Sequence, residues 1–270
     1  MNKTFINNEL MEIKEKRPLV HCITNYVTAN DCANIILAIG GIPVMADNKN
    51  EVEEIASKAQ ALVINIGTLS EEKIESIILA GKSANANNIP VIFDPVGIAA
   101  SRARKESALK ILRQIKMTVI RGNIAEMKVL LGLKAVSKGV DSIEDIDKES
   151  IEKVALNVAN KLDTIAVITG EKDYISDGKK ISIIENGVQL MTRITGAGCM
   201  TTSLIGAFLG LTKDGFLSSL LGILTMGVSG EIAYENLKAD EGSGSFRMKL
   251  IDAVNLLTTE ELKKRGKING

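Results

Sequence analysis

The feature that most constrains the fold is the alternation of short β-branched runs with longer amphipathic stretches. This alternation is typical of βα units that build a mainly parallel sheet covered by helices on both faces. Five runs are predicted to be strands: Ile42–Ala46, Ala61–Ile66, Pro90–Asp94, Thr118–Arg121 and Thr164–Thr169. The stretches between them are predicted to be helices: Asn50–Ala59, Ser70–Asn87, Ser101–Ile115, Ile124–Leu131 and Ser150–Leu162.

The pattern changes after the fifth predicted strand. The pair Asp177-Gly178 separates Tyr174–Ser176 from Lys180–Glu185 and predicts a hairpin, which fits an antiparallel edge on the sheet. Helices are then predicted nearly to the end: Ala197–Leu209, Phe216–Leu237 and Ser245–Thr259. The basic segment Lys263–Gly270 is predicted to be a frayed tail. Because no low-complexity linker or repeat interrupts the chain, residues 1–270 are predicted to form one domain.

The composition excludes several classes of function. Lys and Arg total 33 and Asp and Glu total 33, so the basic excess expected of a nucleic-acid partner is missing. Aromatic residues are 3% of the chain, which argues against base stacking. No uninterrupted apolar run reaches about 18 residues, so no membrane-spanning helix is predicted. Three cysteines do not make a disulfide framework, and we expect a cytoplasmic protein.

The most informative motif is the turn Thr195-Gly196-Ala197-Gly198-Cys199, which opens an apolar helix. Its glycines let the backbone approach a ligand, and the free N–H groups and positive end of the helix favour an anion such as a phosphate. Cys199 falls in the first turn, where this field is expected to lower the pKa of the thiol. A tight loop leading into a buried helix explains the turn alone about equally well.

Polar residues follow several predicted strands, and the carboxyl ends of parallel strands are where such sheets bind ligands. Asp94 follows one strand, although it could simply shape the turn before Pro95. Arg121 follows the next strand and could meet phosphate, while Glu126 could hold hydrated Mg²⁺ or cap a helix together with Asn123. Thr169 ends the following strand, so the three strand ends predict one polar rim.

The N-terminal stretch from His21 to Asp31 is dense in hydrogen-bonding groups. His21 is the single histidine, which excludes metal cages built from several histidines, and we interpret it as structural. Cys22 and Cys32 lack the spacing of a redox or metal motif and are predicted to be small buried residues.

Taken together, these residues resemble the hydroxyethylthiazole kinases, a family of the ribokinase-like superfamily. The resemblance runs through nearly the whole chain, and its two N-terminal motifs are the specific ones. The motifs are His21-Cys22-Ile23-Thr24-Asn25-Tyr26-Val27, Gly41-Ile42-Pro43-Val44-Met45-Ala46, Asn65-Ile66-Gly67-Thr68-Leu69, Asp94-Pro95-Val96-Gly97, Arg121-Gly122-Asn123 to Glu126, and Thr195 to Cys199. The resemblance implies a ribokinase-like three-layer α/β/α sandwich.

The activity that this resemblance implies is ATP-dependent phosphorylation of the primary alcohol of 4-methyl-5-(2-hydroxyethyl)thiazole, for thiamine phosphate synthesis. It also implies a homotrimer with the thiazole site at the subunit boundary. The implied thiazole contacts are Asn25, Val27, the Met45 backbone, Gly67 and Gly196. The implied ATP contacts are Arg121 and Thr169.

The remaining implied roles concern catalysis. Asp94 and Glu126 are expected to place Mg²⁺, and the amides of Gly196, Ala197, Gly198 and Cys199 to form an anion hole. Cys199 is expected to accept the proton of the alcohol. The sequence departs from the family after Gly97, where Gly and Thr-Pro usually precede an Arg and this chain has Ile98-Ala99-Ala100-Ser101-Arg102-Ala103-Arg104.

Three alternatives remain open from the sequence. A hydroxymethylpyrimidine or pyridoxal kinase would share the fold and the anion turn. An ATP-dependent dehydratase that repairs hydrated nicotinamide nucleotides would also be ribokinase-like, although Cys199 stands where such proteins show Asp. A non-catalytic protein that senses a vitamin precursor is the third.

Overall fold

The computed structural model describes residues 6–133 and 150–269. Within these residues the strands form one sheet in the order β2-β1-β3-β4-β5-β6-β7-β8-β9. Neighbours from β2 to β6 are parallel, and β7, β8 and β9 join as antiparallel strands. The strands are β1 Leu19–Ile23, β2 Ile42–Val44, β3 Ala61–Asn65, β4 Val91–Asp94, β5 Val119–Asn123, β6 Ile165–Thr169, β7 Asp173–Ser176, β8 Ile181–Ile184 and β9 Ile268–Asn269.

Helices connect the strands and pack on the sheet. They are α1 Glu9–Lys16, α2 Ala29–Ile39, α3 Val52–Lys58, α4 Glu71–Ala86, α5 Arg102–Leu112, α6 Ile124–Leu131, α7 Ile151–Leu162, α8 Ala197–Thr212, α9 Gly215–Glu235, α10 Ser243–Leu256 and α11 Thr259–Arg265, with a short 3-10 helix at Gln189–Arg193. Several begin at a residue whose side chain accepts a free backbone N–H, as Ser70 does from Lys73 at the start of α4.

Two apolar cores lie on opposite faces of the sheet, which gives the predicted three layers. One core contains residues of α1, α2, α8, α9 and α10, and the other contains residues of α3 to α7. Neighbouring strand residues alternate between the cores: Val20 and Cys22 face the first, and Ile23 faces the second. The mainly parallel sheet with an antiparallel edge hairpin is therefore confirmed.

The structure corrects the sequence reading at both ends of the chain. Leu19–Ile23 was not predicted as a strand, yet β1 lies between β2 and β3. The prediction that residues 263–270 are a frayed tail is wrong for the described part, because Ile268 and Asn269 pair with β8. Within this segment Arg265 also pairs with Glu235 of α9, which fixes the chain before the strand.

Helix α9 has the length and composition of a membrane span, although no uninterrupted apolar run was found in the sequence. Its most apolar window has a mean hydropathy of 1.5, and 78% of that window is buried inside the fold. Small residues such as Gly222 and Gly227 allow this burial, since an added Cβ at Gly222 would lie 2.8 Å from the backbone of Ile205. Helix α9 is thus apolar because it packs in the core against β6 and β7.

Candidate active site

The carboxyl ends of the parallel strands and the start of α8 meet at one edge of the sheet. The strand register places Asn65 of β3 beside Asp94 of β4, and Asn123 of β5 beside Thr169 of β6. Cys199 in the first turn of α8 lies against the first of these pairs, because its Sγ is 3.3 Å from Nδ2 of Asn65. The predicted polar rim is therefore a single cluster.

A chain of buried hydrogen bonds connects this cluster. Asn25 Nδ2 donates to Oδ1 of Asn65 at 2.9 Å, and Asn65 Nδ2 donates to Oδ2 of Asp94 at 2.9 Å. The hydroxyl of Thr202 in α8 donates to the same Asp94 oxygen at 2.8 Å. All four residues are buried. Asn65 and Thr202 were not predicted to have a role, although Asn65 lies in one of the family motifs.

Cys199 is half-buried, and its sulfur receives two side-chain amide donors. Nδ2 of Asn25 is 3.4 Å and Nδ2 of Asn65 is 3.3 Å from Sγ. Burial and the nearby carboxylate of Asp94 nevertheless raise the pKa of the thiol. The expectation of a lowered pKa is therefore wrong, because burial and the negative charge of Asp94 outweigh the hydrogen bonds to the sulfur and the charge of Arg121.

At both glycine positions of the turn, neighbouring atoms leave no room for a side chain. Gly196 has φ of +83°, and an added Cβ would lie 2.7 Å from Cγ2 of Thr28. An added Cβ at Gly198 would lie 2.6 Å from Nη1 of Arg121. Glycine at 198 thus lets the guanidinium approach the first turn of α8, so the helix N–H groups and a cation face the same space.

Arg121 is held between two elements of the rim. Its Nη2 donates to the hydroxyl of Thr169 at 2.5 Å, and Nη1 is 3.6 Å from Oδ2 of Asp94. The Nε–H of Arg121 is buried and has no hydrogen-bond partner. A buried donor without a partner is costly, so a ligand oxygen at this point would be stabilised.

Glu126 forms the predicted capping box of α6. Its Oε2 accepts the N–H of Asn123 at 2.8 Å, and the side chain of Asn123 accepts the N–H of Glu126 at 2.9 Å. The other oxygen of Glu126 accepts the N–H of Gly97 at 2.8 Å. Burial raises the pKa of Glu126, and Asp94 adds to the effect. The capping role is confirmed, and it ties α6 to the loop after β4.

The carboxylates of Asp94 and Glu126 differ in their hydrogen bonding, which bears on whether they could hold Mg²⁺. Oδ1 of Asp94 is buried and has no partner, and burial raises the pKa of this carboxyl. Within residues 6–133 and 150–269 no group of three or more His, Cys, Asp or Glu side chains is placed to hold a metal. Mg²⁺ typically takes one or two carboxylates, with substrate phosphates and waters completing the shell. The residues present fit such an ion.

Beside the anion turn lies a cavity of about 830 Å³. Its lining includes the polar residues Arg121 and Thr169, the backbone of Gly198, and the apolar residues Val188, Met191 and Met226. Asp173 of β7 also lines the cavity and was not predicted, since its position depends on how the hairpin folds back over β6. A lining that combines the start of a helix and an arginine with apolar side chains suits a molecule that carries both phosphate and an aromatic ring.

The proposed thiazole contacts are only partly brought together. Gly67 packs on Asn25, since an added Cβ at Gly67 would lie 3.0 Å from Nδ2 of Asn25. The side chain of Met45 packs against the core, which leaves the predicted contact by its backbone a prediction, and Val27 is 56% exposed. His21 is buried, and its Nε2 bonds to the carbonyl oxygen of Ala46, which agrees with a structural role.

A three-layer α/β/α fold with an arginine, a carboxylate and a glycine-rich helix start at one sheet edge defines a small-molecule kinase of the ribokinase-like class. Within that class the chain belongs to the hydroxyethylthiazole kinase family, because the sequence model of that family matches residues 10–260.

Individual relatives agree with this assignment. The chain is similar to the hydroxyethylthiazole kinase of Clostridium botulinum (strain Eklund 17B / Type B), with 51% identity over 264 residues that cover 96% of this chain and 94% of the relative. The solved structure of the hydroxyethylthiazole kinase from Pyrococcus horikoshii OT3 is 36% identical, with a TM-score of 0.88 over 98% of both chains. A pyridoxal kinase from Staphylococcus aureus shares the fold, with a TM-score of 0.60 at 18% identity over 83% of this chain and 90% of the other.

Proposed function

We propose that this chain transfers the γ-phosphoryl group of ATP to the primary alcohol of 4-methyl-5-(2-hydroxyethyl)thiazole. The product is the thiazole phosphate used in thiamine phosphate synthesis. The observation that carries the proposal is the cluster of Asn25, Asn65, Asp94 and Cys199 at the start of α8, in a chain of this family. The comparisons do not favour the pyrimidine kinase, pyridoxal kinase or dehydratase alternatives.

In this proposal ATP occupies the cavity beside the anion turn. Arg121 and Thr169 bind its phosphates, and the unpartnered Nε–H of Arg121 supports that role. The backbone N–H groups of Gly196, Ala197, Gly198 and Cys199 point to the space where charge develops on the transferred group. Because phosphoryl transfer depends mainly on positioning and charge stabilisation, these donors contribute most of the protein's share.

The acidic residues Asp94 and Glu126 would hold Mg²⁺, which supplies positive charge to the phosphate oxygens when it is bound. The free Oδ1 of Asp94 supports this assignment, whereas both oxygens of Glu126 already accept backbone N–H groups. Asp94 is therefore the more direct of the two residues. Glu126 contributes a second negative charge and holds the loop at Gly97 in place.

The alcohol would lie between Asn25, Gly67 and Gly196, near the sulfur of Cys199. Cys199 is proposed to accept the alcohol proton, and the amide groups of Asn25 and Asn65 would stabilise the thiolate. Val27 and the Met45 backbone are also proposed to contact the thiazole, in a site that lies at the subunit boundary of a homotrimer.

A single domain and a cytoplasmic location are also proposed for this chain. One domain over residues 1–270 is supported by a sheet whose strands run from Leu19 to Asn269. A cytoplasmic location is supported by the free thiols of Cys22, Cys32 and Cys199.

The test is ADP release by the purified full chain at varied Mg²⁺, with the thiazole alcohol, hydroxymethylpyrimidine or pyridoxal as acceptor. We expect turnover with the thiazole alcohol, dependence on Mg²⁺, and a large loss of kcat in Asp94→Asn. Faster turnover with either of the other alcohols would assign the chain to that activity instead. ATP consumption with hydrated NADH in place of an alcohol would support the dehydratase.

A further inference from the structure

The guanidinium of Arg104 bridges the two loops that follow β3 and β4. Its Nη1 donates to the carbonyl oxygen of Ile66 at 2.9 Å and to that of Val96 at 3.2 Å. Its Nη2 donates to the carbonyl oxygen of Gly67 at 2.9 Å. Arg104 lies in the first turn of α5 and is half-buried, and within the described residues it forms no ion pair with a carboxylate. Among the described residues, the guanidinium of Arg104 therefore donates only to backbone carbonyl oxygens.

Each of the two loops is also tied to the candidate site. In the loop after β3, the N–H of Gly67 donates to Oδ1 of Asn65 at 2.9 Å, and Gly67 packs on Asn25. In the loop after β4, the N–H of Gly97 donates to Glu126 at 2.8 Å. Arg104 therefore fixes the proposed alcohol-binding loop relative to the loop that follows Asp94.

The local sequence explains how Arg104 reaches both loops. The residues that depart from the family, Ile98-Ala99-Ala100, still form a compact turn, since the N–H of Ala100 donates to the carbonyl of Gly97 at 2.9 Å. Ser101 then caps α5 by accepting the N–H of Arg104 at 3.3 Å. The departure thus leaves the arginine against the loops, with its side chain 3.4 Å from the position of an added Cβ on Gly97.

An arginine suits this position better than a lysine. The planar guanidinium holds its N–H donors in a fixed fork, so one side chain can reach three carbonyl oxygens in two loops. A lysine ammonium is a compact charge on a flexible stem and does not fix the same three directions.

We infer that Arg104 is a positioning residue for the acceptor alcohol. It holds the backbone of Gly67 where the thiazole is contacted and sets the distance from that backbone to Asp94. The inference rests on the proposed function, and it assigns to Arg104 an effect on the alcohol rather than on ATP, because the cavity proposed for ATP does not include Arg104.

The test compares Arg104→Lys and Arg104→Ala with Arg102→Lys. Arg102 is a matched control two residues earlier on α5, since its side chain is 91% exposed and pairs with Glu106 on the same helix. Because a hydrogen bond from a charged donor is worth more than a neutral one, we expect KM for the thiazole alcohol to rise about tenfold in Arg104→Lys and further in Arg104→Ala. KM for ATP should stay unchanged in all three variants.

Thermal unfolding of each variant shows whether it folds, and titration calorimetry gives its Kd for the thiazole alcohol. If Arg104→Ala does not fold, the milder Arg104→Lys decides the test. A tenfold rise in the alcohol KM and Kd of Arg104→Lys alone supports the inference. Equal constants in Arg104→Lys and Arg102→Lys, or a parallel rise of the KM values for both substrates, would overturn it. If the wild type did not phosphorylate the thiazole alcohol, the proposed function on which the inference rests would itself be contradicted.

Discussion

Cys199 lies at the point where the proposed alcohol, the anion turn and the carboxylate of Asp94 meet. Two amide groups donate toward its sulfur, but burial and Asp94 raise the pKa of the thiol. At neutral pH the thiol form therefore predominates before substrate binds. A base with a raised pKa is strong once formed but rarely populated, and general bases contribute about 10²–10⁴-fold to enzymatic rates. The effect of removing the sulfur thus measures how much of the rate it supplies.

Replacement of Cys199 separates proton transfer from binding. In Cys199→Ala we expect kcat to fall by about 10²-fold, with KM for ATP unchanged, because the amides of the turn remain. Cys199→Asp should keep substantial activity, since an aspartate with an ordinary pKa of about 3.9 is ionised at neutral pH. In steady-state kinetics, kcat of the wild type should rise with pH above 7, and this rise should be missing in Cys199→Asp.

The control for these variants is Cys22→Ala, which removes a buried thiol of β1 outside the site and should lower stability while leaving kcat near wild type. If Cys199→Ala turned over as fast as the wild type, the sulfur would be a packing atom and the proton would leave by another route.

The residues of the rim show which parts of a site a sequence can predict. Asp94, Arg121 and Thr169 were predicted to lie together because they follow parallel strands, and the strand register places them there. Thr202 was not predicted, because its bond to Asp94 depends on where α8 crosses the sheet. The sign of the Cys199 pKa shift was wrong because burial and the proximity of Asp94 are tertiary properties.

At the scale of elements, the hairpin of β7 and β8 places two aspartates in opposite environments. Burial raises the pKa of Asp173 to about 6, although the N–H of Gly170 donates to it and Arg121 lies nearby. Burial also acts on Asp177 in the turn, but the N–H groups of Lys180 and Lys179 outweigh it and lower the pKa of that carboxyl. The same hairpin therefore supplies both a destabilising and a stabilising carboxylate at neutral pH.

Neutralising these aspartates should change stability with opposite signs. The folded pKa of Asp173 lies above its unfolded value of 3.8, so stability is lost as pH rises from about 4 to about 6. Asp173→Asn should raise the free energy of unfolding at pH 7.5 by up to about 3 kcal/mol, and by almost nothing at pH 4. Asp177→Asn is the matched control and should lower stability at pH 7.5, because a lowered folded pKa stabilises above the unfolded pKa.

Urea unfolding of both variants without nucleotide, at pH 4 and pH 7.5, measures these differences. A loss of stability in Asp173→Asn at pH 7.5 would contradict the prediction and mean that its charge is well paired in the fold.

The sequence missed strands β1 and β9 because neither contains a long apolar run. The predicted strands were near-continuous apolar runs, whereas β1 contains His21 and follows Pro18, so its short run was not recognised. In the fold His21 is fully buried, and the bond of its Nε2 to the carbonyl of Ala46 compensates part of its polarity, while Nδ1 has no partner. Strand β9 has two residues and gains its pairing only from β8, so no local pattern indicates it. The apolar helix α2 was also missed, because the stretch from His21 to Asp31 was interpreted by its hydrogen-bonding groups and not by its helical pattern.

At the scale of the whole molecule, the proposed homotrimer concerns the exposed side of the proposed thiazole site. Asn25 is buried, yet the next two side chains, Tyr26 and Val27, are 79% and 56% exposed. Exposed apolar residues directly beside a ligand site are typical of surfaces that another protein covers. The lining of the cavity proposed for ATP does not include Tyr26 or Val27. A trimer would therefore complete the thiazole half of the site and leave the nucleotide half unchanged.

A charge placed at this surface tests the trimer. We expect the wild type to have three times the 29.0 kDa mass of one chain by light scattering, and Val27→Arg to dissociate into single chains, because burying an unpaired charge at an interface is costly. Val27→Arg should then lose thiazole affinity by more than tenfold while its affinity for a non-hydrolysable ATP analogue stays at the wild-type value. Tyr234→Arg, at an exposed apolar residue near the end of α9, is the control and should change neither mass nor affinity. If the wild type had the mass of one chain and still phosphorylated the thiazole alcohol, one subunit would form the whole site. Tyr26 and Val27 would then need another partner.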